Sequence, residues 1–204
     1  MSVLAIVQAR LNSTRFKNKA LADLCGKPVI AHVIERVETI MGVDDVVLAC
    51  PRGDAETFQR VLPRTTVLGP KVKDEDVLGR FAVIVETLKP KAVVRITGDC
   101  PMIDQAIAAE VIECYRQQPL VDYVSNVCEG YIDGTDVECF CADALMWAHR
   151  TATDPYDREH VTSWITRTVP RAKQDRVVPL RSGRKTSIDL PSDLEYVRSL
   201  MVMA

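Results

Sequence analysis

The sequence predicts an α/β protein built on a doubly wound, mostly parallel sheet in an αβα sandwich. Three observations carry that prediction. Short β-branched apolar runs alternate with segments of helical periodicity as far as Gln117. The first run empties into a basic turn of small residues, where such sheets hold phosphates. Two later runs end on a carboxylate, at Asp99 and at Asp189.

The elements follow in order. Val3 to Gln8 reads as a buried strand. After the loop Cys25-Gly26-Lys27, Pro28 suits the first position of a helix that runs to Met41, with Val29, Ile30, Val33, Ile34, Val37 and Ile40 at helical spacing. Then come a strand from Val46 to Cys50, a helix from Ala55 to Val61 and a strand from Thr66 to Leu68. A helix from Val77 to Leu88, a strand from Ala92 to Thr97 and a helix from Asp104 to Gln117 complete the regular part. Beyond it, Asp122 to Val127 and Val137 to Cys141 read as strands joined through Glu129 to Gly134. Helices are expected at Ala142 to His149 and Asp157 to Val169, then a last strand at Ser187 to Leu190. Pro191 opens the terminal helix, with Ser192 and Glu195 spaced as a capping box. No repeat or linker interrupts the chain, which reads as a single domain over 1–204.

The formal net charge of −2 removes the electrostatic case for nucleic acid or an anionic membrane as partner. Any anion must therefore be bound locally. The N-terminus lacks a cationic leader region, and no apolar run nears the ~20 residues of a membrane-spanning helix, so a cytoplasmic protein is expected. Seven cysteines, an odd number without CxxC spacing, fit reduced thiols better than disulfides or zinc.

The basic turn runs Ala9-Arg10-Leu11-Asn12-Ser13-Thr14-Arg15-Phe16-Lys17-Asn18-Lys19, with no acidic residue before Asp23. Arg10 and Arg15 can fork onto phosphate oxygens, Lys19 can act as a mobile point charge, and Ser13 and Thr14 add hydroxyl donors. Neither GxxxxGK[ST] nor GxGxxG is present, so the physics gives a phosphate site without naming the nucleotide. Asp99 follows Gly98 at a strand end, and a carboxylate beside phosphates calls for a bridging cation such as Mg²⁺. Asp104 is the better cap for the next helix, which leaves Asp99 for the metal. Asp189 is the second carboxylate. Asn126, Asp133, Asp136 and Glu138 crowd the two later strands, where alternation puts Asp136, Glu138 and Phe140 on one face, toward a ligand or toward water. From the residues alone, Asp76 reads as an N-cap, Arg80 as a solvated helix residue, and Arg158-Glu159-His160 as a charged first turn.

Together the segments IVQARLNSTRFKNKAL, GKPVIAHVIERV, DEDVLGRF, VVRITGDCPMID, DYVSN, YIDGTDVECF, REHVT and SIDLPSDLE resemble the spore coat polysaccharide biosynthesis protein F family of cytidylyltransferases, relatives of the CMP-KDO and CMP-sialic acid synthetases. The family's turn carries a Pro that Phe16-Lys17-Asn18-Lys19 lacks. The resemblance implies a Rossmann-like, nucleotide-diphospho-sugar transferase-like fold that transfers CMP from CTP to a hydroxyl of an acidic sugar, releasing pyrophosphate. It implies CTP held by Ala9, Arg10, Ser13, Arg15, Lys19, Asp76, Arg80 and Asp99, with Arg10, Arg15, Lys19 and Asp99 in catalysis and Mg²⁺ on Asp99 and Asp189. On this reading Asn126, Asp133, Asp136 and Glu138 are the acceptor-binding candidates, whose polar side chains can hydrogen-bond sugar hydroxyls or face water; the resemblance itself implies that Glu159 and His160 approach the acceptor, and that the enzyme is a homodimer. Two other classes stay open on the residues: a nucleotide-sugar glycosyltransferase, with Asp74-Glu75-Asp76 as its D-x-D, and a non-catalytic nucleotide-binding partner domain. The base is equally open, since cytosine is read by backbone edges, and GTP or dTTP remain alternatives.

Overall fold

The computed structural model describes residues 1–127, 132–170, 174–176 and 184–203. Glu129, Gly130 and Tyr131 of the expected connection lie outside them.

Seven strands form the main sheet: β1 (Val3–Gln8), β4 (Asp45–Ala49), β5 (Thr66–Leu68), β6 (Ala92–Thr97), β7 (Tyr123–Ser125), β8 (Glu138–Cys141) and β9 (Gln174–Arg176). Their order is β5-β4-β1-β6-β8-β7-β9, and only β8 runs against its neighbours. A two-residue hairpin pair, β2 (Asp23–Leu24) and β3 (Lys27–Pro28), stands apart. The doubly wound α/β expectation holds, with one reversed strand.

Alternation along the strands divides the core into two layers. Val3, Ala5 and Val7 of β1, with Ala92, Val94 and Ile96 of β6, meet α1 (Val29–Val37), α2 (Ala55–Val61) and α4 (Gln105–Gln117). Leu4, Ile6 and Val93 face the opposite layer of α3 (Val77–Leu88), α5 (Ala142–Thr151) and α7 (Ser163–Thr168), which contributes Phe81, Leu145 and Ile165. Arg95 and Thr97 share the register of Val93, so β6 turns polar toward the α3 side as it reaches its carboxyl end. A smaller cluster packs Ile188 with Leu194 and Val197 of α8 (Pro191–Met203) against Leu24 and Val29.

Several expectations need correction. Pro28 is the N-cap of α1 rather than its first residue, and the helix stops at Val37, before Gly42 takes φ 97°. The helix expected over Asp157 to Val169 is two, α6 (Pro155–His160) and α7, parted at Val161, whose φ is 56°. Val161 is fully buried, so packing overrides its strong preference against that region. Ser187 to Leu190 forms no strand: Ile188 N–H donates to the Asp99 carbonyl (2.9 Å), and Asp193 Oδ2 accepts the N–H groups of Asp189 and Leu190. Asp193, not the Ser192–Glu195 box, ties down the start of α8, and Glu195 pairs with Arg198 instead.

Candidate active site

The carboxyl ends of β1 and β6, the turn after β1, the start of α3, the end of α6 and the segment before α8 enclose a cleft of ≈ 310 Å³. The two central strand ends come close because residue 98 is glycine. A Cβ there would lie 2.8 Å from Ala9 Cβ and 2.9 Å from the Gln8 carbonyl oxygen, which accepts the Gly98 N–H at 2.8 Å. Gly134 plays a similar part below: its φ is 105° and a Cβ would lie 2.2 Å from Ser187 N. That contact, with Thr186 N–H donating to the Asp133 carbonyl (2.8 Å), presses the 184–190 segment between residues 132–137 and the Asp99 loop. Asp189 reaches the cleft by this docking, not at a strand end.

At one pole of the cleft Lys19 Nζ donates to both expected metal carboxylates, Asp99 Oδ2 at 2.6 Å and Asp189 Oδ1 at 3.1 Å. Arg15 Nη2 adds a contact to Asp189 Oδ1 (2.8 Å), and Lys185 Nζ reaches Asp189 Oδ2 (3.1 Å). Burial pushes the Asp189 carboxyl up, but hydrogen bonds from Lys19 and Lys185 hold it below the ordinary value. Arg15, Lys19 and the two aspartates thus meet at one point. Among the described residues no group of three or more His, Cys, Asp or Glu is arranged for a metal. Two carboxylates already converging on one positive nitrogen do fit Mg²⁺, which takes one or two carboxylates and fills its sphere with phosphate oxygens and water.

The other pole lies against α3 and α6. Arg80 lines it, only 3% exposed, with Nη2 donating to the Asp74 carbonyl and a buried Nε that has no partner among the described residues. Burial pulls the Arg80 guanidinium below its ordinary pKa, and nearby Arg10 adds to this. An arginine so desolvated is suited to a ligand oxygen, and it is not the solvated helix residue that its sequence position suggests. Arg10 crosses the cleft mouth to Glu159 (3.3 Å), and His160 follows, exposed and packed at a tilt against Tyr156 with ring centroids 4.2 Å apart. Ala9, Ser13 and Thr14 complete the wall.

Other expected site residues stand back from the cleft. Asp76 caps α3, accepting Gly79 N–H at 2.8 Å, and takes both Nε and Nη2 of Arg158 at 2.8 and 2.7 Å. Asn126 is fully buried: its amide donates to the Thr135 carbonyl and accepts Val137 N–H, holding the approach to β8. Asp133 contributes its carbonyl to the 184–190 segment. Asp136 precedes β8; burial, with Asp133 and Glu138 close by, pushes its carboxyl up to about 6. Glu138 does share a face with Phe140, but that face is neither wet nor open. Its carboxylate is buried between Arg95 Nη1 and the Tyr123 hydroxyl, which donates at 2.7 Å.

Sequence reasoning passed over Arg95, Gln8 and Thr97, all of which line the cleft. Arg95 Nε donates to Gln8 Oε1 (3.0 Å) while Glu138 holds Nη1, so its side chain is fixed on the floor. The signal was available: one arginine inside an otherwise apolar strand, two residues before Thr97 on the same face.

The sequence of residues 4–203 matches the profile of the cytidylyltransferase family. A 3-deoxy-manno-octulosonate cytidylyltransferase of Anaeromyxobacter dehalogenans is 34% identical over 174 residues, covering 78% of this chain and 71% of the relative. An uncharacterized protein of Methanocaldococcus jannaschii is 32% identical over 168 residues, covering 81% and 67%. Among solved structures, a cytidylyltransferase from Leptospira borgpetersenii superposes with a TM-score of 0.91 at 23% identity, covering 100% of this chain and 88% of the other. A CMP:2-keto-3-deoxy-manno-octonic acid synthetase complexed with CTP superposes with a TM-score of 0.79 at 17% identity, covering 100% and 99%. At those identities the structures speak for the fold alone; the profile match over nearly the whole chain speaks for the family. The chain belongs to the cytidylyltransferase family, and is a CTP-dependent nucleotidyltransferase.

Proposed function

We propose that the protein transfers CMP from CTP to a hydroxyl of an acidic sugar, supplying an activated precursor for a surface polysaccharide in the manner of the spore coat polysaccharide F proteins. The observation that carries the reading is the convergence of Arg15, Lys19, Asp99 and Asp189 at the ends of β1 and β6. In the reaction, the acceptor hydroxyl oxygen bonds to the α-phosphorus in line, and the bond from that phosphorus to the bridging oxygen of pyrophosphate breaks. Arg10, Arg15 and Lys19 hold charge on the leaving pyrophosphate, while Ala9 and Ser13 border its loop. Asp99 and Asp189 would hold Mg²⁺, which when bound neutralises phosphate charge. Arg80 reads the nucleotide from α3. Glu159 and His160 stand at the mouth where the acceptor enters, and His160 is open to accept the hydroxyl proton. Asp76, Asn126, Asp136 and Glu138 support these walls from behind.

The D-x-D reading of Asp74 to Asp76 loses ground because the Asp76 carboxylate is already engaged by Gly79 and Arg158. We further propose that residues 1–204 form one catalytic domain and that the protein works in the cytoplasm as a homodimer. The test is pyrophosphate release with each of four nucleoside triphosphates against a panel of acidic and amino sugars. CTP with an acidic sugar is expected to turn over, and Asp99→Asn to lose about 10²-fold or more in kcat, far more than it loses in nucleotide affinity. Turnover with another triphosphate alone, or near-normal kcat in Asp99→Asn, refutes the respective assignment.

A further inference from the structure

Lys19 makes a contact that phosphate binding does not require. Its side chain is 14% exposed, and its ammonium bonds two carboxylates that lie 80 and 170 residues along the chain. Its backbone is fixed by a 3₁₀ turn, Lys19–Leu21, entered through Asn18 at φ 56°, so the side chain leaves a rigid base. Among the described residues Lys19 is the only cation paired with Asp99, whereas Asp189 also has Arg15 and Lys185. Without Lys19, Asp99 would keep no cation of its own among the described residues, and would face the Asp189 carboxylate across a short gap.

We propose that Lys19 is a positioning residue for the metal pair. Its ammonium holds Asp99 and Asp189 together until the nucleotide phosphates draw it away, so the metal binds tightly only with nucleotide present. The proposal rests on the metal reading given under Proposed function. Two processes then share one positive position: while Lys19 occupies it, a divalent ion is opposed; once Lys19 turns to the phosphates, the pair is free. Linkage makes the effect reciprocal, so metal also raises nucleotide affinity. The device suppresses idle metal binding and orders the carboxylates before the ion arrives.

The test uses Mn²⁺ titration followed by electron paramagnetic resonance, on the full chain with and without CTP. Lys19→Met is expected to bind Mn²⁺ without CTP about ten-fold or more tightly than the parent. The enhancement that CTP gives to Mn²⁺ affinity should shrink by a similar factor. Lys17→Met, which removes an exposed charge from the same turn, is expected to change neither quantity. Adding Asp99→Asn to Lys19→Met should abolish the gain. Should Lys19→Met fold poorly, Lys19→Gln keeps a polar group of similar length and is read the same way. Equal Mn²⁺ affinity with and without Lys19, or an equal gain in Lys17→Met, overturns the coupling alone. No Mn²⁺ binding in any variant, even with CTP, overturns the metal reading and the coupling with it.

Discussion

The Asp76–Arg158 pair gives the sharpest stability prediction. Asp76 caps α3 and at the same time takes two hydrogen bonds from Arg158, whose Nη1 also reaches the His149 and Ala152 carbonyls at 2.8 and 3.4 Å. One guanidinium thus joins the first turn of α3, the end of α5 and α6, the elements that carry Arg80, Glu159 and His160. Asp76→Ala removes a cap worth about 1 kcal/mol. It also removes a two-point charge-assisted contact whose members are 26% and 20% exposed, worth about 2 kcal/mol after discounting for that exposure. A loss of about 3 kcal/mol corresponds to roughly 6–12 °C in Tm for a chain of this size. Urea and thermal unfolding of Asp76→Ala, Arg158→Ala and the double variant should give a coupling of about 1–2 kcal/mol. Burial pushes the Asp76 carboxyl up, but Arg158 and Gly79 N–H more than offset it, and the net value is below ordinary. Its contribution is therefore fully present above the unfolded value of about 3.9 and is lost as pH falls from there through the lower folded value. Additive single losses, within about 0.5 kcal/mol, would refute the pairing as a structural strut.

Two further predictions follow from buried geometry. Asp136 titrates the opposite way from Asp76: its folded value of about 6 stands above the unfolded ~3.9, so folding takes up a proton between them and stability rises as pH falls through that window. Asp136→Asn should remove that slope from urea midpoints measured across pH 4–7 and stabilise the protein at neutral pH; an unchanged slope contradicts the raised carboxyl. Gly98→Ala forces a methyl against Ala9 and the Gln8 carbonyl, and should cost about 1–3 kcal/mol in stability and about 10²-fold in kcat. Normal kinetics in that variant would show that the β1 and β6 ends can part without disturbing the site.

Much of the sheet was legible because its strands and helices are locally consistent. α2, β5, α3 and β6 begin and end where periodicity and flanking residues put them. Arg15, Lys19 and Asp99 were legible as one group because ligand sites of parallel sheets gather at strand ends; Asp189 joins them, but by docking rather than at the strand end expected of it. What stayed hidden depends on long-range packing. Val161 continues a helical pattern in sequence, yet the core places it at φ 56° and turns the chain just after His160. Ser187 to Leu190 has strand composition but only docks on the Asp99 loop, its polar backbone taken by Asp193. The acidic run from Asp133 to Glu138 resembled a wet binding face, and only the reversed pairing of β8 beside Arg95 shows Glu138 sealed.

The docking of residues 184–190 also bears on the order in which the site can come into being. Lys19 and Asp189 are 170 residues apart, and loops of that span close late because their entropy must be overcome before any contact rewards it. β1, β4, β5 and β6 and the helices between them can pair through nearer contacts, so the turn after β1 and Asp99 are expected to be in place before Asp189 arrives. In a nascent or partly unfolded chain the first turn can form while Asp189 is still absent from it. Assembly of the full site is therefore expected late in folding, and hydrogen exchange at Ile188 N–H, which closes on the Asp99 carbonyl, should open before exchange in the central strands.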